Sequence, residues 1–230
     1  MRRIGLIAIS QSSREDITSD LRRMLKLNLE FIECNILDEY SYEEIIERFS
    51  PEPGQAVYTT RMKDGREVKV SREKISREVN RCISKLELSG VEFIILLSTT
   101  EIPNITSSIP VVHLDKLIRS YASALKTEDL VSIIIPSSEE ARYAWIKWHS
   151  VFPNLYIEAI SPYTASDDEY EELGNRLKKL NPRLIIMDCI EYTLRHRSIL
   201  SNIIRRPVIC PRTILAGLLN ELYHYEAVEI

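Results

Sequence analysis

Glutamine is nearly missing from this chain, with Gln11 and Gln55 the only two in 230 residues. Beside plentiful Ile, Arg and Glu, that scarcity leans toward the composition of heat-adapted proteins. Cysteine is sparse too: Cys34, Cys82, Cys189 and Cys210 stand far apart and form no CxxC pair. Neither a zinc site nor a secreted disulfide framework is suggested, and a reducing cytoplasm fits best. No apolar run approaches the roughly 20 residues that a membrane span requires, and Met1-Arg2-Arg3 leads directly into a strand-like stretch, so neither export nor anchoring is expected. A basic stripe is also lacking. The net charge is −4, the sequence pI is near 5.7, and basic residues are interspersed with acidic ones, which excludes nucleic acid as an expected partner. No phosphate loop, dinucleotide fingerprint or metal-ligand spacing occurs, so no cofactor and no metal are expected.

What is present is enough apolar material, 44% of the residues, to bury one large domain or two lobes of about 100 residues each. Two apolar runs organise it: Val91 to Leu97, ending in Ser98-Thr99-Thr100, and Pro182 to Ile190, stopping at Asp188-Cys189. Short Ile- and Leu-rich runs preceded by amphipathic helices read as buried strands of a parallel sheet. Ligands of open α/β sheets bind beyond the carboxyl ends of such strands, where these polar residues fall.

In chain order, Arg3–Ile9 is the opening strand, followed by Ser10-Gln11-Ser12-Ser13-Arg14, where Ser12 or Ser13 is expected to cap a helix carrying Ile17, Leu21 and Met24. Free amides at that helix start offer an anion site, although a simple cap is the commoner outcome. Ser41 caps a second helix. Residues 57–62 and 66–70 alternate around Lys63-Asp64-Gly65 as a hairpin. It is expected at an edge or over the sheet, with Thr60 and Arg61 in reach of a ligand. His113 reads as a packed histidine, and the Tyr143, Trp145, Ile146 and Trp148 stripe as core.

A second round begins at Val131–Ile135, whose Pro136-Ser137-Ser138-Glu139-Glu140 turn matches the first. With the hairpin region set aside, both halves run strand, Ser-rich turn, helix, strand, helix, strand with a polar end, then Ile-Pro-Val-Val or Arg-Pro-Val-Ile and a closing helix. The expected fold is α/β, with two similar lobes bearing parallel-type sheets related by a pseudo-twofold axis and a β-hairpin inserted in the first. Residues 1–109 with 210–230 form the expected first lobe, with the insert at about 55–71, and 110–209 the second. A cleft between similar lobes is a standard place for a small ligand.

Several stretches together resemble the AroM family and, more distantly, the aspartate/glutamate/hydantoin racemase superfamily. They are Ser50-Pro51-Glu52-Pro53-Gly54, Val70-Ser71-Arg72-Glu73-Lys74, Leu96-Leu97-Ser98-Thr99-Thr100, Lys147-Trp148, and Met187-Asp188-Cys189-Ile190 with Arg195-His196-Arg197. The resemblance implies a racemase-like fold and a cofactor-independent activity on a small carboxylate. It also implies a position for each of two thiols that face each other across the substrate's α-carbon. Cys189 holds one position, while Ser98 stands where the other would be, and a serine without a basic partner is too weak a base for an α-proton.

Two-thiol racemisation is therefore not expected, and one-sided lyase or isomerase chemistry with Cys189 as acid or nucleophile is. Ser98, Thr99 and Thr100 would then donate to a substrate carboxylate. Gln11, Ser12, Thr60, Pro136, Ser137, Asp188 and Arg212 complete the expected ligand-binding set, Arg212 because a guanidinium fork suits a carboxylate. The alternatives are a non-catalytic carboxylate sensor linked to aromatic amino-acid metabolism and, for Cys189 alone, a small buried apolar residue. A homodimer is expected by analogy.

Overall fold

A computed structural model describes residues 2–11, 13–55 and 57–223. Its two four-stranded parallel sheets carry the repeat openly. The first contains β1 (Arg2–Ala8), β2 (Leu29–Asn35), β5 (Phe93–Leu96) and β6 (Val111–His113), ordered β2-β1-β5-β6. The second contains β7 (Val131–Ile135), β8 (Leu155–Ala159), β9 (Leu184–Met187) and β10 (Val208–Ile209), ordered β8-β7-β9-β10. Position for position the orders are the same, and every pair within them is parallel. The boundary expected after residue 109 moves, because β6 is hydrogen-bonded along β5 and belongs to the first sheet.

Period-2 alternation explains the layers. Ile4, Leu6 and Ala8 of β1 face one core with Ile133, Ile135 and Ile186 of the second sheet, so both lobes share it. α1 (Glu15–Met24), α4 (Leu114–Ser123), α5 (Ala141–His149) and α8 (Pro211–Tyr223) contribute to that shared core. Ile7 and Ile9 face outward against α2 (Tyr42–Phe49) and α3 (Arg72–Leu88). Ile134, Ile185 and Met187 face α6 (Asp167–Leu180) and α7 (Leu194–Ile204). In α5 only Ala144 and Trp148 are buried. Trp145 and Ile146 are half exposed, so the aromatic stripe is not core as a whole, because a helix packed on one side buries one face alone.

The hairpin forms as expected from β3 (Val57–Arg61) and β4 (Glu67–Ser71), with Gly65 at φ +92° supplying the turn. Its Tyr58, Val68 and Val70 are buried against the first lobe. Toward the second lobe it presents polar contacts: Thr59 to Glu140, Ser161 to Glu67, and a Lys69–Glu139 ion pair. Arg61 stacks over Tyr163, 5.8 Å from the ring centroid.

Two of the four cysteines do join. Cys34 on β2 and Cys82 on α3 form a disulfide across 48 residues of sequence, which spacing alone hid because the packing of a helix on a strand brings them together. Reduction with a phosphine is expected to cost about 2–4 kcal/mol of stability, read as a lower urea midpoint. An unchanged midpoint would show that the bond contributes nothing beyond the surrounding packing. Among the described residues no helix is long and apolar enough to cross a membrane.

Candidate active site

Parallel strands end on one side of each sheet, and the two polar strand ends meet there. Beyond β5 come Ser98, Thr99 and Thr100, beyond β9 Asp188, Cys189 and Glu191, and beyond β7 Pro136 and a 3₁₀ turn, Ser138–Glu140. Of these, Ser98, Thr100, Pro136, Glu140 and Cys189, together with Tyr58 and Thr59 of the hairpin, line a cavity of about 40 Å³. A larger cavity of about 400 Å³ adjoins it, with Thr100 and Glu140 lining both.

Cys189 is 9% exposed. Burial, reinforced by the charges of Glu191, Glu140 and Asp188, pushes its thiol well above the usual range. At neutral pH it is therefore a protonated thiol, suited to giving a proton and not to attacking as a thiolate. Cys210 is buried as well, with Sγ directed at the Tyr192 carbonyl.

Asp188 does not face the thiol. Its carboxylate accepts from Lys147 Nζ and Trp148 Nε1, both at 2.6 Å, and its carbonyl accepts from Thr99 Oγ1 at 2.9 Å. Lys147 Nζ also donates to the Thr99 carbonyl at 2.6 Å, so these residues bolt the second lobe to the first. Lys147-Trp148 and Asp188-Cys189, separate in sequence, thus form one unit in space.

Ser98 Oγ donates to the Thr100 carbonyl at 2.8 Å and accepts from the Thr100 amide at 3.2 Å, a closed turn with no base beside it. Thr59, not Thr60, reaches the site. Its hydroxyl donates to Glu140 Oε1 at 2.8 Å, while Thr60, one residue on and on the opposite face, is buried beside the Tyr163 hydroxyl. Neither the Thr60 nor the Tyr163 hydroxyl finds a hydrogen-bond partner among the described residues.

Gln11, Ser137 and Arg212 are absent from the lining of this cavity. Gln11 ties the hairpin turn to the loop before α2, donating to the Tyr40 carbonyl at 2.7 Å and accepting from the Lys63 amide at 3.1 Å. Ser12 lies outside the described residues. Ser137 caps the 3₁₀ turn. Arg212, expected to bind a ligand, is 1% exposed and fully engaged with Asp16, Asp20 and the carbonyls of Asp16, Ile190 and Glu191. It is a structural tie, because the closing helix α8 packs on α1 and α4 instead of bordering the cavity. Arg195 pairs with Asp167, His196 stacks on Tyr170, and Arg197 donates to the Val208 carbonyl.

The start of α1 is likewise occupied. Arg14, not the expected Ser13, is its N-cap, with no side-chain cap, and its amide donates to the Glu33 carboxylate at 2.8 Å, so a carboxylate of the protein itself already sits at this helix start. The Arg14 guanidinium forms a buried ion pair with Glu191, linking the lobes two residues from Cys189.

Glu140 went unnoticed in the sequence, where its one distinguishing mark is a place in the turn after β7. Burial, reinforced by the charges of Asp188, Glu139 and Glu67 and partly offset by the Thr59 hydrogen bond, pushes its carboxyl up to about 7. Among the described residues no cation pairs with it.

Two matched parallel sheets meeting at a thiol-bearing strand end define a racemase-like two-lobed α/β protein. Solved structures agree. Allantoin racemase from Klebsiella pneumoniae superposes with a TM-score of 0.63 at 14% identity, over 96% of this chain and 87% of that one. Maleate isomerase Iso from Pseudomonas putida S16 gives 0.61 at 12% identity, over 96% and 92%. Glutamate racemase from Aquifex pyrophilus gives 0.55 at 14%, over 96% and 83%. The AroM protein family profile matches residues 4–223, and the chain belongs to that family. No curated protein matches its sequence.

Proposed function

We propose that this protein is a cofactor-independent enzyme, a lyase or isomerase, acting on a small carboxylate in the cleft between its lobes. Cys189 is its proton donor. One observation carries the reading: the thiol lies in a cavity walled by both lobes and the hairpin, under conditions that keep it protonated. Thr100 offers its hydroxyl to the substrate carboxylate, the Ser98 and Thr99 hydroxyls being already donated to the Thr100 and Asp188 carbonyls, and Pro136 shapes the wall. The expected set gains Thr59 and loses Gln11, Thr60, Ser137 and Arg212, none of which lines the Cys189 cavity. Racemases and an isomerase on the same fold support the choice of reaction class.

The second reading is a carboxylate sensor linked to aromatic amino-acid metabolism. The Ser98 turn favours it, since no first thiol is present and the serine lacks a base. A soluble cytoplasmic homodimer without nucleic-acid partners suits either reading. The Cys34–Cys82 bond accords with the cytoplasm of a heat-adapted organism, where intracellular disulfides do occur.

A thermal-shift screen with small mono- and dicarboxylates, on unmutated protein and Cys189→Ala, tests both. A ligand at ~100 times its dissociation constant adds about 2.7 kcal/mol to either protein. Turnover of that ligand is expected to fall about 100-fold in the variant. Binding by both proteins with turnover by neither selects the sensor, and binding by neither removes the anion site.

A further inference from the structure

The Cys189 cavity holds one more group with the chemistry of proton transfer. Glu140 ends the turn after β7, and its side chain does not cap α5 although the residue occupies the cap position. It lies instead on the wall shared by the 40 Å³ and 400 Å³ cavities, held by the Thr59 hydroxyl. We propose that Glu140 and Cys189 are the acid–base pair of this enzyme, with the Glu140 carboxylate doing the work for which Ser98 is unsuited. The inference deepens the proton-transfer reading above and rests on it.

The Glu140 carboxylate takes a proton from the substrate α-carbon. That C–H bond breaks, an O–H bond forms, and the electron pair stays on the substrate as an enolate. The Cys189 S–H then protonates the enolate, at the same carbon to invert it or at a conjugated carbon to move a double bond. Glu140 is left protonated and Cys189 as thiolate, and proton exchange with water or turnover in the reverse direction restores them. No oxidant or reductant is required.

Electrostatics around Glu140 suit a base. Glu67 faces it from the hairpin, Asp188 and Cys189 from the end of β9, and Glu139 from its own turn; Lys147 is neutralised by Asp188, and Lys69 by Glu139. Its carboxyl, at about 7, is half ionised at neutral pH and is a stronger base than an ordinary carboxylate.

The same walls restrict the substrate. Among the described residues the small cavity has no Lys or Arg in its lining, so only hydroxyls and amides meet the enolate charge. The carbon acid must therefore be activated already, by a carbonyl, an aryl group or a second carboxyl beside the α-carbon. Its body would occupy the 400 Å³ cavity, against Val57, Tyr143 and Ile146, with Arg72, Lys116 and Arg119 receiving a second polar or anionic end. Arg72 Nε is buried there without a partner among the described residues.

Two measurements test the pair. In D2O, ¹H NMR follows loss of the activated C–H signal of phenylmalonate, 2-oxoglutarate and both enantiomers of phenylsuccinate. At least one is expected to exchange with unmutated protein, about 100-fold more slowly with Glu140→Gln or Cys189→Ser. Exchange by Glu140→Gln within threefold of the unmutated rate overturns the role of Glu140 and leaves the Cys189 reading standing. No exchange of any of the four overturns both. Independently of any substrate, ¹³C NMR of carboxyl-labelled glutamate is expected to show a resonance that titrates near 7 and is missing in Glu140→Gln. A midpoint below 5 overturns the proposal even where exchange occurs.

Discussion

Arg14→Ala is expected to cost about 3–5 kcal/mol, because it strands the Glu191 carboxylate in a site where the side chain is 9% exposed. Two charges removed from water are tolerable as a pair, whereas one alone is not. Arg14 also holds Asp16, but that residue is half exposed and water replaces the lost contact. The loss therefore belongs to Glu191, and Arg14→Met combined with Glu191→Leu should recover most of it, since an apolar pair of similar volume often matches a buried ion pair. Urea unfolding of the two single variants and the double at pH 7 supplies the comparison. A loss below about 1 kcal/mol in Arg14→Ala would mean that Glu191 remains hydrated and that the lobes are held together elsewhere.

Trp148→Ala is expected to cost a similar amount, about 3–5 kcal/mol, by a different route. The indole is fully buried in the core shared by the two sheets, against Phe152, and its removal opens a cavity that two rigid sheets cannot collapse to fill. It also removes the Nε1–H from Asp188. Trp148→Phe separates the contributions: most packing stays and one carboxylate oxygen loses its donor, at about 1–3 kcal/mol. Adding Asp188→Ala completes a double-mutant cycle, and a coupling near zero would show that the indole acts by volume alone.

Elements whose cause is local could be read from the chain. The Asp64-Gly65 turn, the Ser41 cap, the Ile-rich strands and the repeated plan are all written in adjacent residues, and the structure carries each of them. The meeting of Ser98-Thr99-Thr100 with Asp188-Cys189 followed from the repeat, because equivalent strands must present equivalent ends. What was not legible depends on partners distant in sequence. Cys34 and Cys82 pair through helix-on-strand packing; Arg212 is consumed by α1 and two carbonyls; β6 joins the sheet before it. Thr59 and Thr60 differ by one residue and therefore by a whole face, which the alternation of the hairpin alone cannot assign to a cleft. Glu140 is one acid among many until burial and Thr59 single it out.

The hairpin has an unequal pair of faces, with apolar side chains against the first lobe and polar groups against the second. Parting it from the second lobe would break hydrogen bonds and an ion pair, lift Arg61 from the Tyr163 ring and return the buried Glu140 carboxyl to water. That equilibrium would respond to dissolved salt, through the Lys69–Glu139 contact. The hairpin is thus joined to the first lobe through hydrocarbon and to the second mainly through polar contacts, so the two junctions answer to different changes of solvent.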